Sequence, residues 1–157
     1  MKFVTDGMLG KLTRWLRMLG HDVEYSRSLD DEALINKAKT ANRILLTRDL
    51  RLYQQAVTKG TSAFLVEGDT GARKLARLSK RFNFKLEIDM KASRCPKCNA
   101  LIKSVSKEEV TDRIPKATAS YYNEFWKCLG CEQIYWRGAH WERINRTLKE
   151  AKETLEK

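Results

Sequence analysis

The chain has 157 residues, 42% of them hydrophobic, which is room for one ordinary domain plus a small module and enough apolar material for a core. Lys and Arg number 31 against 20 Asp and Glu, and the net charge of +11 points to a polyanionic partner, with nucleic acid first, without separating RNA from DNA or from an acidic protein. No window approaches the roughly 18 apolar residues of a membrane span, and Met1-Lys-Phe-Val-Thr-Asp6 is too short an apolar run for a secretory leader, so the expected setting is a reducing cytoplasm with no membrane partner.

Lys2 to Thr5 reads as a short strand. Met8 to Leu19 reads as a helix, because Leu9, Leu12, Leu16 and Leu19 fall at helical spacing and Gly20 stands where a C-terminal cap belongs. Asp22 to Tyr25 is a second strand and Asp31 to Thr40 a second helix. Arg43 to Leu46 is a buried strand, and Leu50 to Lys59 a helix that closes at Gly60. Ser62 to Val66 is another strand, Thr70 to Phe82 a helix, and Phe84 to Ile88 a final short strand. This alternation predicts an α/β domain over residues 1–90, a small parallel sheet flanked by helices.

Residues 91–157 differ in character. Lys91 to Arg94 is a polar linker. All four cysteines then fall in two matched pairs, Cys95-Pro-Lys-Cys98 and Cys128-Leu-Gly-Cys131. A two-residue gap lets both thiolates of a pair reach one ion from a tight turn, and two such turns close a tetrahedral Cys₄ site whose usual occupant is structural zinc. Pro96 stiffens the first turn and Gly130 eases the second. Two disulfides are the alternative, disfavoured because nothing else looks secreted. Phe125 to Lys127 and Ile134 to Trp136 read as short strands of a zinc ribbon. The charged stretch between the pairs, with Pro115, predicts a long hairpin or mobile loop. His140 to Lys157 is a charged terminal helix.

Acidic residues recur at the ends of the predicted strands. Asp6 follows the first, Asp49 the third and Asp69 the fourth, while Asp30 and Asp31 open the second helix. Ligands of an open parallel sheet bind beyond the carboxyl ends of its strands. Carboxylates gathered there suit Mg²⁺ or Mn²⁺, with which a phosphodiester can be hydrolysed. The competing explanation is helix capping, since Asp6, Asp30, Asp49 and Asp69 each precede a helix. Lys11, Arg14 and Arg17 follow at three-residue steps on the helix side away from Leu9, Leu12 and Leu16, and Arg48 stands beside Asp49. These four cations suit RNA phosphate, or else form a solvated face. Trp126, Tyr135, Trp136 and Trp141, with Lys127 and Arg137, either stack on unpaired bases or fill a thin core. His140 is a proton carrier or a helix-start residue, and His21 reads as structural.

Phe3 to Gly20 (Phe-Val-Thr-Asp-Gly-Met-Leu-Gly-Lys-Leu-Thr-Arg-Trp-Leu-Arg-Met-Leu-Gly) resembles the opening of the Mut-seven C-terminal RNase family, a branch of the PIN-like nucleases with a zinc ribbon attached. Asp31 to Ile35, Ile44 to Asp49, Arg94 to Asn99 and Tyr135 to Trp141 resemble later parts of the family in the same order. The resemblance implies a metal-dependent ribonuclease, expected to be endonucleolytic. It maps the acid after the first strand to Asp6, the acid opening the second helix to Asp31, and the Asp of Thr-Arg-Asp to Asp49, with Asp30 left as the cap. It also marks Lys11 and Arg14. Full-length PIN nucleases carry one further acid on an inserted helix, and the chain has no match for it between Asp6 and Asp31. Two other classes stay open: a non-catalytic RNA-binding adaptor, on a ribosome or other ribonucleoprotein, and a module that docks a protein partner through its ribbon and terminal helix.

Overall fold

A computed structural model describes residues 1–156. β1 (Lys2–Thr5), α1 (Gly10–Met18), β2 (Asp22–Tyr25), α2 (Asp31–Thr40), β3 (Ile44–Thr47), α3 (Leu50–Thr58), β4 (Ala63–Leu65) and α4 (Gly71–Phe82) alternate along the chain. The four strands pair in parallel in the order β2-β1-β3-β4. Strand periodicity sorts neighbouring side chains to opposite faces. Phe3 and Leu46 point into one layer with Leu12 and Leu16 of α1 and Leu75 and Leu78 of α4. Val4 and Leu45 point into the other, with Leu34 and Ile35 of α2 and Leu52 of α3. Both faces of the sheet are buried, which is why the central strands read as unbroken apolar runs rather than as alternation.

Several element ends depart from the sequence expectation, each for a local reason. β3 begins one residue later than expected, because Asn42 takes a left-handed turn (φ 52°) and the Arg43 amide closes the end of α2 on Ala38 O at 2.8 Å. α1 starts at Gly10 rather than Met8, since the Leu9 amide is still held by Asp6 O in the preceding turn. Gly20, at φ 96°, ends it as expected. Phe84 to Ile88 forms no strand. Asn83 leaves α4 in the left-handed region (φ 56°), and Phe84, Leu86 and Ile88 then bury against the first layer without pairing their backbones.

The ribbon is a second, antiparallel sheet of β5 (Ile102–Val105), β6 (Phe125–Cys128) and β7 (Ile134–Tyr135). The expected hairpin between the cysteine pairs is β5–β6, but its connection is helical: α5 (Lys107–Val110), a 3₁₀ turn (Thr111–Arg113) and α6 (Lys116–Tyr121). Val110, 1% exposed, seats that excursion on Phe125 and Ile134. α7 (Ala139–Glu156) then returns and packs along α4. The expected last residue of this helix, Lys157, lies outside the described residues. Leu148 and Ala151 of α7 join the same layer as Phe3, and burying Leu148 contributes about 2 kcal/mol.

His21 is sealed between Phe3 and Phe84, with ring centroids 5.6 and 4.4 Å away, and its Nε2 has no hydrogen-bond partner. Burial, and then the Met1 ammonium, push its pKa down to about 4. An unfolded chain takes up this proton near ~6.5. The stability held by the neutral ring is therefore complete above that pH and gone below about 4. Acid titration of the melting temperature should show a loss of roughly 3 kcal/mol across this window. His21→Gln should flatten it, and an unchanged slope would refute the assignment.

Candidate functional site

The strand order reverses between β1 and β3, so the crevice beyond their carboxyl ends is the sheet's natural ligand position. Asp6 sits there immediately after β1, only 7% exposed. Its Oδ1 accepts the Met8 amide at 2.9 Å, and its Oδ2 accepts the Thr47 hydroxyl. Thr47 is the last residue of β3 and fully buried, and its Oγ1 accepts the Asp49 amide at 3.0 Å. One hydroxyl thus ties the acid that follows β1 to the one that follows β3. Asp49 is exposed and caps α3, its Oδ1 accepting from the amides of Arg51 and Leu52 at 2.9 and 3.4 Å. Capping therefore accounts for one oxygen of Asp49.

Asp30 is the cap of α2, accepting the Ala33 amide at 2.8 Å, and Asp31 opens that helix half-buried. α2 follows β2, so its N-terminus lies at the same carboxyl edge of the sheet. Asp69 is no cap: Thr70 caps α4, and Asp69 pairs with Arg73 at 2.8 Å. The three acids do not form a closed ligand set. Among the described residues, the four cysteines are the one group of three or more His, Cys, Asp or Glu with ligand atoms all within 4.8 Å of one another. Asp6 and Asp49 share Thr47, and Asp31 shares no partner with either. Thr47 carries no sequence signal of its own beyond the Thr-x-Asp spacing.

A cleft of about 670 Å³ opens beside the loop that follows Asp6. Gly7 and Met8 form one wall, and Lys11, Arg14, Arg17, Arg27, Lys74 and Lys97 supply its charge. Lys11 and Arg14 are exposed, as a phosphate-binding role needs. Arg27, Lys74 and Lys97 come from the loop after β2, from α4 and from the first cysteine turn. No periodicity links them, and the fold alone brings them to one place. Arg48 is exposed and donates from Nη1 to Gly68 O at 3.0 Å.

Arg17 departs from expectation. It is 8% exposed, its Nε and Nη2 donate to Val23 O at 3.0 and 2.9 Å, and its Nη1 donates to Pro96 O at 3.0 Å. Its guanidinium is committed to carbonyls rather than solvated, while the residue lines the basic cleft beside Lys11 and Arg14. Asn99 completes this contact: its Oδ1 accepts the Val23 amide at 3.0 Å and its Nδ2 donates to Asp22 Oδ1 at 2.8 Å. β2 is an edge strand, and the first cysteine turn thus covers its unpaired backbone groups. Arg17→Met should cost about 2–4 kcal/mol by leaving the Val23 and Pro96 carbonyls unmet, with RNA affinity and its salt dependence unchanged in the folded protein. A large loss of affinity without a loss of stability would restore the phosphate role.

The four cysteines meet as their spacing predicts. The Sγ atoms of Cys95 and Cys131 are 3.8 Å apart and those of Cys98 and Cys128 3.3 Å. Both exceed a disulfide bond of about 2.05 Å and lie near the roughly 3.8 Å between thiolates around one tetrahedral ion. Each pair ends in a left-handed residue, Asn99 (φ 76°) and Glu132 (φ 65°). Gly130 is needed for space, because a Cβ there would lie 2.8 Å from that of Ala100. Burial pushes the Cys95 thiol up to about 11, so a thiolate at this position calls for a cation beside it. A soft tetrahedral donor set with no open position fits a structural metal such as zinc. Of the ribbon aromatics, Trp126 is 6% exposed, the Tyr135 hydroxyl sits 2.9 Å from Cys95 Sγ, and Trp136 packs near Phe125.

A family model described as the Mut7-C RNAse domain matches residues 1–148. No curated protein and no solved structure matches the chain.

Proposed function

The chain belongs to the Mut7-C RNAse domain family, and from that premise we propose that it is a divalent-metal-dependent ribonuclease that cuts RNA internally at the carboxyl edge of its sheet. The observation that carries this reading is the Asp6–Thr47–Asp49 chain across the strand-order reversal. Asp6 and Asp49 would hold Mg²⁺ or Mn²⁺ with Asp31 completing the set, and one or two carboxylates plus water and substrate phosphate suffice for such an ion. When bound, the ion supplies charge stabilisation for phosphodiester hydrolysis. The residues of the chain do the rest. The Thr47 hydroxyl and the Met8 amide fix both oxygens of Asp6, so the carboxylate would meet the ion without reorganising. Lys11 and Arg14 offset the phosphate charge, and Arg48 stands next to Asp49. The Cys₄ group would carry zinc and hold the ribbon against β2. A reducing cytoplasm is the setting that four free thiols would suit.

A second reading, a non-catalytic RNA-binding adaptor, is favoured by one observation: Asp6, Asp31 and Asp49 do not close a ligand set within 4.8 Å. Incubating the zinc-loaded protein with unstructured and structured RNAs, with and without Mn²⁺, separates the two. Cleavage that appears only with Mn²⁺ is the expected result. Salt-sensitive RNA binding without any cleavage would replace the nuclease with the adaptor.

A further inference from the structure

A second cleft of about 670 Å³ lies where α1, the ribbon and the start of α7 meet. Met18, Ile88, Ile134 and Trp136 give it apolar walls, and Trp141 flanks it. Arg14, Arg94 and Arg137 also line it, and no carboxylate does. Its volume is within the roughly 300–1,000 Å³ of sites that hold small organic groups. Arg14 and Pro96 line this cleft and the basic cleft beside Asp6 alike, so the two adjoin. The Arg137 guanidinium lies over the rings of Trp126 and Trp141, 5.0 and 5.4 Å from their centroids, which holds the Trp141 indole in place.

We propose that this cleft receives an unpaired nucleobase of an RNA strand whose phosphates run over Arg14 from the carboxyl edge of the sheet. The inference rests on the ribonuclease reading and narrows its substrate to single-stranded RNA. An apolar, aromatic-walled space ringed by cations and continuous with a phosphate-binding cleft matches a nucleotide, with an apolar flat base and an anionic backbone. An acidic protein would find the cations but no use for the indole. A base still paired in a duplex cannot enter.

The test is binding of a short, labelled, unstructured RNA to the zinc-loaded full chain, without added Mg²⁺ or Mn²⁺. Versions of the strand carry one abasic site at successive positions, and one version is annealed to its complement. An abasic site at one register, and Trp141→Ala, should each weaken binding about tenfold, with the salt dependence unchanged. Trp141→Phe should keep most of the affinity, and the duplex should bind more weakly than the strand. If every abasic strand binds like the intact one, or the duplex binds as well, the proposal is overturned, and the abasic series decides even if Trp141→Ala fails to fold. Cleavage with Mn²⁺ is scored separately. Base-dependent binding without cleavage would sink the ribonuclease reading alone, and cleavage without base dependence would sink this one alone.

Discussion

Asp49→Asn should lower Mn²⁺-supported RNA cleavage by about a hundredfold or more, while RNA affinity holds or rises. The substitution isolates charge from structure. Asn caps a helix as well as Asp does, so its side-chain oxygen keeps the Arg51 and Leu52 amides and α3 stays in place. The Asp49 amide that reaches Thr47 is untouched, so the Thr47 hydroxyl stays aimed at Asp6. What disappears is one negative charge at the edge where the sheet order reverses. A divalent cation held there would lose a ligand, and an RNA phosphate would lose a repulsive neighbour, which is why binding should not suffer. Melting temperature, Mn²⁺ dependence and RNA affinity measured on one preparation distinguish this from a folding defect. A variant that folds and cuts as fast as its parent removes Asp49 from the site.

Stripping the Cys₄ group should have the largest effect on stability. Structural zinc sites carry apparent binding free energies of about 10–16 kcal/mol, much of it folding energy. Chelation, or Cys98→Ser, should therefore lower the melting temperature by more than about 10 °C. The damage should not stop at the ribbon. Arg17 holds Pro96 O, and Asn99 holds Val23 and Asp22, so loosening the first cysteine turn uncovers the outer edge of β2. Hydrogen exchange at the Val23 amide should speed up with the ribbon amides. A chelated sample, shown by metal analysis to be zinc-free, that melts like the untreated protein would end the structural-metal assignment.

The α/β body was legible because each signal was local. The four strands and four helices of residues 1–82 follow from apolar spacing, and their expected ends err by a residue or two where a left-handed Asn or a turn amide intervenes. The cysteine site was legible because its chemistry permits few spacings. What the sequence hid is long-range. Phe84 to Ile88 has the alternation of a strand, yet its apolar groups bury in the layer that holds Phe3, without a pairing partner. Arg17 lies on the same apparent helix face as Lys11 and Arg14, but the ribbon docks over it, and no helical periodicity reports that. Thr47 is ordinary in a strand until Asp6, from another strand, is set beside it.

α7 places residues 148 and 151 in the same layer as Phe3, so segments far apart in sequence finish one interior between them. During synthesis this layer stays open on the α4 side until α7 has been made. The ribbon is made just before α7, while the body that carries it is still incomplete. An unfinished, sticky interior therefore faces the crowd around the ribosome until α7 docks on α4.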